Sequence, residues 1–175
     1  MPQITFPIDN KTAALMDAFT AGTSVSDLVF VESRDESKRT VRVNLQVEAL
    51  GDLLVSDYGH SVLCKLLTAE DILTMQEIED SAVSVLPEKI DFKPFVKDEK
   101  FFMKLPFKND KYKANIDPPA LPTQPDKSPF ARGSQLEVEF TVSMWINFSN
   151  AAAGLFLSVS KVVIDGGKKK TIKRR

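Results

Sequence analysis

The stretch that decides the fold is Ser134-Gln-Leu-Glu-Val-Glu-Phe-Thr-Val-Ser-Met-Trp-Ile-Asn-Phe148. Its even positions from Leu136 to Phe148 are all apolar, and its odd positions from Gln135 to Asn147 are polar apart from Trp145. Successive side chains of a β-strand point to opposite faces, so this pattern predicts a strand with one buried face. A usual strand has about five or six residues. The much greater length of this one predicts a curved strand shared around a barrel.

Four shorter stretches also predict strands. Apolar residues alternate with polar ones from Thr40 to Val47, and the odd positions form an apolar face from Phe101 to Phe107. Residues 28–32 are expected to precede the first of these stretches. Residues 155–164 are expected to follow the long strand after a turn over 147–154.

Helical spacing interrupts the strand pattern in two places. A short helix is predicted over 11–19, and one or two helices are predicted over about 48–82, where Val62, Leu63, Leu66 and Leu67 recur at helical spacing. Thr68-Ala-Glu-Asp71 resembles an N-cap within that insertion. The fold class is therefore mostly β (α+β), as a Greek-key β-barrel with a helical insertion between strands.

Charge is unevenly distributed along the chain. The net charge is −1, but residues 168–175 carry six positive charges and no acid, so the residues before them carry −7. Five of the ten prolines fall in 117–130, which predicts an extended connection. The sequence is thus interpreted as one domain over 1–167 followed by a flexible basic tail over 168–175.

The sequence contains no recognisable signature of an enzyme or a cofactor site. Its only histidine, His60, is expected at a helix start or on the surface, and no Gly-x-Ser-x-Gly motif accompanies it. The single cysteine, Cys64, is expected to be a buried, inert thiol of a reducing compartment. The acidic cluster over 70–80 is interpreted as a solvated helix face rather than a metal site. We therefore expect no catalysis, no cofactor and no metal.

Lysines and aromatic residues are concentrated between Phe92 and Lys113. This window holds seven lysines against three acids, together with six of the fifteen aromatic residues. Cations that follow a phosphate backbone, with rings available for base stacking, suit single-stranded nucleic acid. If the odd positions of 101–107 face the core, strand parity points Lys100, Phe102, Lys104 and Lys108 outward together.

Trp145 breaks the polar face of the long strand. The sequence leaves two explanations open for it, a base-stacking role or simple packing over a bulge or beneath the proline-rich connection. Arg42, with nearby Lys38 and Arg39, adds cations to the solvent side of the first alternating strand. For these cations an ordinary charged sheet face is the competing explanation.

The strand sequences resemble a known family. They are Arg39-Thr-Val-Arg-Val-Asn-Leu-Gln-Val47, Lys100-Phe-Phe-Met-Lys-Leu105, Gly133-Ser-Gln-Leu-Glu-Val-Glu-Phe-Thr-Val142 and Ala153-Gly-Leu-Phe-Leu-Ser-Val-Ser-Lys-Val-Val163. Over residues 26 to 165 they are similar to the single-stranded DNA-binding proteins of short-tailed bacteriophages and related viral replication proteins. The resemblance implies an OB-fold that coats single-stranded DNA in replication and recombination, with Trp145 as a stacking aromatic and Lys104 facing DNA. It also implies replication proteins such as a polymerase or helicase as partners.

The basic tail departs from this family, whose members end in an acidic tail that contacts replication partners. A basic tail would add phosphate contacts or act as a nuclear-import signal in a eukaryotic host. The acidic insertion, 52–91, is the alternative candidate for partner contacts. The sequence does not decide whether the protein forms a homodimer.

The sequence therefore predicts a non-enzymatic protein that binds single-stranded DNA with little sequence preference in viral or phage DNA replication, recombination and repair. It is expected inside the host cell, in the cytoplasm or in the nucleus of a eukaryotic host, without a membrane. The alternative is a non-catalytic β-barrel structural or adaptor protein of a virion or replication complex. The expected DNA-binding residues are Lys38, Arg39, Arg42, Lys93, Lys97, Lys100, Phe102, Lys104, Phe107, Lys108, Lys111, Tyr112, Lys113, Arg132 and Trp145.

Overall fold

A computed structural model describes residues 4–56, 59–108, 111–117, 130 and 132–164. These residues form two helices, α1 (Asn10–Thr20) and α2 (Ala69–Val83). They also form the strands β1 (Leu28–Glu32), β2 (Arg42–Ser56), β3 (Gly59–Leu66), β4 (Asp91–Lys93), β5 (Lys100–Leu105), β6 (Phe107–Lys108), β7 (Lys111–Tyr112), β8 (Asn115–Asp117), β9 (Gln135–Asn147) and β10 (Ala152–Ile164).

The protein is mostly β, as predicted, and eight of its strands form one open mixed sheet. The order is β4-β10-β9-β2-β3-β5, with β1 also paired to β9 and β8 also paired to β10. Strands β6 and β7 form a separate antiparallel pair. Neither α1 nor α2, the helices of the described chain, has the length and apolar character that crossing a bilayer requires.

Backbone contacts group the chain into two compact units, and β9 and β10 contribute to both. The first unit comprises Met1–Val41, Leu73–Phe95 and Thr141–Phe156. In it, β1 pairs antiparallel with the end of β9, and β4 pairs parallel with the start of β10. Its buried residues include Phe6, Met75, Ile78, Met144 and Ile146.

The second unit comprises Arg42–Ile72, Val96–Phe140 and Leu157–Arg175. Here β3 pairs antiparallel with β2 on one side and with β5 on the other, and β8 runs parallel to the end of β10. Its buried residues include Leu45, Val62, Met103, Leu105 and Phe140.

The period-two pattern of the long strand is confirmed. Every even position from Leu136 to Phe148 is buried, and the odd positions between them are half-buried or exposed. The same alternation is confirmed in β2, where Val43, Leu45 and Val47 are buried, and in β5, where Phe101, Met103 and Leu105 are buried. Burial of these inward residues fixes the direction of the outward side chains between them.

The predicted helix over 48–66 is wrong, because this region continues as β2 and β3. The buried residues Val62, Cys64 and Leu66 alternate at period two, which the apolar run 62–67 also permits. Pairing on both sides, to β2 and to β5, decides in favour of the strand. The ladder between β2 and β3 shifts register between Ala49 and Leu53, at Gly51 with φ +99°. Such a bulge interrupts the alternation of side chains, which explains why the spacing after Val47 did not predict a strand.

The helix predicted over 11–19 is present as α1, which begins at Asn10 after an N-cap at Asp9, and the helical insertion shrinks to α2, where the predicted N-cap at Thr68 is confirmed. Asp9 Oδ1 accepts a hydrogen bond from Thr12 N at 2.7 Å. This bond, with a side-chain hydrogen bond from Thr12, lowers the pKa of the Asp9 carboxyl. Thr68 Oγ1 accepts from Asp71 N at 3.0 Å, as the N-cap pattern predicts.

Two residues of β3, His60 and Cys64, also carried predictions from the sequence. His60 was expected at a helix start or on the surface, and this is wrong because it is buried within β3. Cys64 is buried as expected, and desolvation raises the pKa of its thiol to about 12, so it stays protonated at neutral pH.

The predicted strand 101–107 is divided. Strand β5 ends at Leu105, and Phe107 belongs to β6 because Pro106 has no N–H with which to continue the ladder. The predicted turn over 147–154 is shorter in the structure, since β10 already begins at Ala152. Most of the proline-rich connection, 118–129 and 131, and the basic tail lie outside the described residues.

The adjacent residues Phe101 and Phe102 provide a matched test of strand parity. Phe101 is 4% exposed and Phe102 is 43% exposed. Phe101→Ala should lower the free energy of unfolding by about 3–5 kcal/mol because it leaves a core cavity. Phe102→Ala should lower it by less than about 1 kcal/mol. Urea unfolding followed by circular dichroism measures both, and equal losses would contradict the assigned faces.

Candidate nucleic-acid interface

Trp145 lies on the outward face of β9 and is half-buried. Its indole covers the backbone of Gly154 in β10, where a Cβ atom would lie 2.8 Å from Trp145 Cζ2. A side chain at position 154 would therefore displace the ring, and glycine allows the indole to lie close against the sheet. The indole thus packs against a strand glycine, a support that neither of the two explanations left open for Trp145 names.

Two exposed phenylalanines share this face with Trp145. Phe30 of β1 is directly opposite Trp145 in the ladder and is 61% exposed. Phe156 lies two residues beyond Gly154 and is 40% exposed. The rings of Phe30 and Phe156 have centroids 6.5 Å apart and an interplanar angle of 68°. We call Phe30, Trp145 and Phe156 the aromatic face of the first unit.

Sequence analysis did not identify Phe30 or Phe156. Phe156 carries the same signal as Trp145, because it stands on the parity of Ser158 and Ser160, opposite the apolar residues of β10. Phe30 carries no comparable signal, since its placement beside Trp145 depends on the pairing of β1 with β9. The face is therefore assembled from β9 and β10, which follow each other in the chain, and from β1, which is distant in sequence.

The charges bordering the aromatic face are paired within the chain. Lys93, opposite Gly154 in the ladder, contacts Asp91 with an Nζ–Oδ2 distance of 2.7 Å. Arg34 contacts Glu32 with an N–O distance of 2.9 Å. Both pairs are exposed and thus weak, so either cation can exchange its carboxylate for a phosphate at little cost.

Lys38 and Arg39 project from the loop between β1 and β2, and both are exposed. The Asp35 carboxylate organises this loop by accepting hydrogen bonds from the Ser37 hydroxyl and from the backbone N–H groups of Ser37 and Arg39. These bonds, led by that of the Ser37 hydroxyl, lower the pKa of Asp35. Lys38 itself adopts a left-handed conformation with φ +66°. The loop thus presents two adjacent cations on a defined turn.

In the second unit, the outward face of β5 carries the predicted row Lys100, Phe102 and Lys104. Lys100 and Phe102 are exposed and Lys104 is half-buried, as strand parity predicts. Lys100 stands directly opposite Lys65 of β3, which sequence analysis did not identify. Like charges directly opposite each other disfavour pairing, and a bound anion would relieve that repulsion.

Lys97 is brought next to Lys100 by a tight turn. The two residues exchange backbone hydrogen bonds, Lys97 N to Lys100 O at 2.9 Å and Lys100 N to Lys97 O at 3.0 Å. Asp98 and Glu99 between them both have positive φ, 55° and 64°, which is uncommon for residues other than glycine. The turn places both lysines at the start of β5.

The surroundings of the other predicted cations of the second unit do not indicate a phosphate site. Arg42 Nη1 lies 3.3 Å from Glu139 Oε1, which also accepts from Ser160 Oγ at 3.0 Å. Arg132 is exposed, and its aliphatic stem packs near Gly51. Lys113 is exposed. These positions can meet phosphate, but nothing in their geometry selects for it.

Tyr112 is held by a buried partner. Its hydroxyl lies 3.0 Å from His60 Nδ1, and the two rings meet edge to face at 5.5 Å. The Tyr112 ring is half-buried in this contact, so it is less available for stacking than Phe102. The side chains of Phe107, Lys108 and Lys111 lie outside the described part of the structure.

The acidic cluster over 70–80 contributes structural hydrogen bonds. Asp71 Oδ2 accepts from Gln46 N at 2.8 Å, and Glu79 Oε2 accepts from Phe95 N at 3.1 Å. Within the described ranges, no group of three or more histidine, cysteine, aspartate or glutamate side chains is placed to hold a metal ion.

Substitution of Gly154 tests the support of the aromatic face. Gly154→Ala places a Cβ against the indole, so the Trp145 emission should shift and the free energy of unfolding should fall by about 1–3 kcal/mol. The fluorescence is unambiguous because Trp145 is the only tryptophan. Ser158→Ala, an exposed site on the same face of β10, is the matched control. An unchanged emission spectrum in Gly154→Ala would refute the contact.

Comparisons of this chain with protein-family models, with curated proteins and with solved structures find no match.

Proposed function

We propose that this protein binds single-stranded DNA with little sequence preference and coats it during replication, recombination and repair of a viral or phage genome. The observation that carries the proposal is the aromatic face, three neighbouring rings on the outward side of a sheet in the first unit. Every base has a π-face, so a platform of this kind binds bases irrespective of sequence.

The proposal includes an OB-fold. In the second unit the strands lie in the order β9-β2-β3-β5. A Greek key has this spatial order, a fourth strand beside the first of three, although here α2 and β4 lie between β3 and β5 in the chain. Helix α2 follows β3 in the chain and precedes β5, as a helical insertion between strands requires. The outward side chains of β3 and β5, which include Phe102, lie on the pair of strands with which OB-folds contact nucleic acid.

The second unit offers cations for the proposed function. Lys65, Lys97, Lys100 and Lys104 are concentrated on two adjacent strands and the turn that precedes β5. Lysines on a sheet surface neutralise phosphates without reading base edges. Affinity should therefore depend strongly on salt and weakly on sequence. The acidic remainder of the chain would repel DNA from other surfaces.

A second candidate function is a non-catalytic adaptor or structural module of a virion or replication complex. The observation that favours it is the charge balance around the aromatic face, where Asp91–Lys93 and Glu32–Arg34 are paired. Exposed aromatic residues bordered by balanced charges also suit a protein partner. The first proposal includes contacts with a polymerase or helicase and a site of action inside the host cell, in the cytoplasm or the nucleus. Both features also fit the second proposal.

Oligonucleotide titration separates the two functions. Binding of oligo(dT) should quench Trp145 fluorescence, reversibly with salt, because a stacked base lies against the indole. Phe30→Ala and Phe156→Ala should each raise the Kd for a labelled oligo(dT) by about 5–150-fold, the equivalent of roughly 1–3 kcal/mol per stacked base. Leu73→Ala, an exposed apolar residue of α2, is the control and should leave the Kd unchanged. Unquenched emission at tens of micromolar protein would favour the adaptor.

The salt dependence of binding tests the lysines. Lys100→Ala and Lys104→Ala should each reduce the slope of log K against log salt by about 0.7, the contribution of one phosphate contact on a single strand. The aromatic variants should lower affinity and leave that slope unchanged. Lys11→Ala on α1 is the control cation, and a chain truncated after Gly167 measures the tail separately. If all variants gave equal slopes of log K against log salt, the lysines of β5 would not contact phosphates.

A further inference from the structure

A cavity of about 360 Å³ lies within the first unit, beside Phe148, which directly follows β9. Its other lining residues come from the end of α1 with the loop over 22–26, from Lys89 and from Ser149. Its volume falls in the lower part of the range of ligand pockets, about 300–1,000 Å³. No residue of the aromatic face lines it, so the cavity is a separate feature of this unit.

Two phenylalanine rings supply much of the apolar lining. Phe19 and Phe148 have ring centroids 5.6 Å apart and an interplanar angle of 51°. Phe148 is buried, whereas Phe19 is half-buried and keeps part of its ring accessible. Gly22, with φ +92°, ends the helical turn and donates its N–H to Phe19 O at 3.1 Å. An accessible ring on a supported turn can stack against a planar group.

The polar lining consists mainly of hydroxyl groups and one cation. Thr23, Ser24 and Ser26 follow α1 and are exposed, and none of their hydroxyls bonds to another residue that the structure describes. Lys89 is also exposed, and it forms no ion pair with any described residue. Aspartate and glutamate are absent from the described lining. Donors without a neighbouring carboxylate favour an anionic ligand.

We propose that this cavity binds one nucleoside monophosphate, with the base against the Phe19 ring and the phosphate at Lys89, Ser24 and Ser26. Lysine and serine side chains are among those that contact phosphate oxygens in nucleic-acid complexes. An aromatic ring stacks on any base. A purely apolar ligand would leave the donors unused, and an inorganic anion would leave the ring unused. The cavity would bind a nucleotide whether or not the aromatic face binds DNA.

Calorimetric titration of the full chain with thymidine 5′-monophosphate tests the proposal. The nucleotide should give a saturable isotherm, and thymidine and inorganic phosphate should each bind about tenfold more weakly, since each lacks one of the two recognised groups. Lys89→Ala should raise the Kd for the nucleotide by about tenfold and leave that for thymidine unchanged. Lys11→Ala, an exposed cation of α1 outside the cavity, is the control. An unchanged nucleotide affinity in Lys89→Ala would overturn the proposal.

A second pair of variants tests the phosphate position by repulsion. Ser24→Asp places a carboxylate beside the phosphate and should abolish nucleotide binding, whereas the neutral, isosteric Ser24→Asn should retain most of it. Both sites of change are exposed, so the circular dichroism spectrum should stay unchanged. Equal affinities of the two variants would contradict the assigned position. Tighter binding of 3-phenylpropionate than of the nucleotide would assign the cavity to an aromatic carboxylate instead.

Phe30→Ala separates the cavity from the aromatic face. It should weaken binding of oligo(dT) and leave the affinity for thymidine 5′-monophosphate unchanged, because Phe30 does not line the cavity. A nucleotide whose binding is weakened by Phe30→Ala and not by Ser24→Asp would lie on the aromatic face. That result would overturn the nucleotide cavity and leave the proposed function in place.

The nucleotide can be free or can end a strand, since both sources carry the same base and phosphate. Labelled oligo(dT) with and without a 5′-phosphate distinguishes them. If the cavity takes a strand end, Lys89→Ala should weaken binding of the phosphorylated strand alone. If it takes a free nucleotide, Lys89→Ala should affect the two strands equally while it still weakens thymidine 5′-monophosphate.

Discussion

The strict alternation of β9 is the constraint on which the candidate site depends. Each inward side chain from Leu136 to Phe148 is buried, so a shift of the strand by one residue would expose seven large apolar groups. The direction of Trp145 is therefore fixed by the core and not by local preference. The neighbouring strands then supply what surrounds the indole, Gly154 beneath it and Phe30 opposite it. A surface feature is thereby determined by packing on the other side of the sheet.

In the proposed function the two units would contribute differently to the binding of single-stranded DNA. The first unit presents three rings whose bordering charges are already paired, so its contribution to binding is stacking. The second unit presents one lysine opposite another, Lys65 of β3 and Lys100 of β5, and the exposed ring of Phe102 lies between Lys100 and Lys104. Its contribution is electrostatic and decreases with salt. Mutations in the two units should thus be distinguishable by their effect on the salt slope and not only on affinity.

Sequence reasoning succeeds where a pattern has one explanation and fails where it has two. The face of β9 and the start of α2 at Thr68 are local patterns, and both are confirmed. The run 62–67 satisfies helical and strand spacing alike, and pairing with β2 and β5 decides between them. Phe30 could not be placed beside Trp145 from sequence, because cross-strand pairing is not encoded in the spacing of either strand. The lysine row of β5 was predictable, but its meeting with Lys65 was not.

The exposure of Phe30 follows from its place in the ladder. Phe30 stands directly opposite Trp145, and opposite residues of an antiparallel pair project to the same side of the sheet. Its ring therefore points out of the plane of the sheet, toward Phe156, with ring centroids 6.5 Å apart. Because stacking does not read the direction of a nucleic-acid strand, in the proposed function a single strand would meet this face in either polarity.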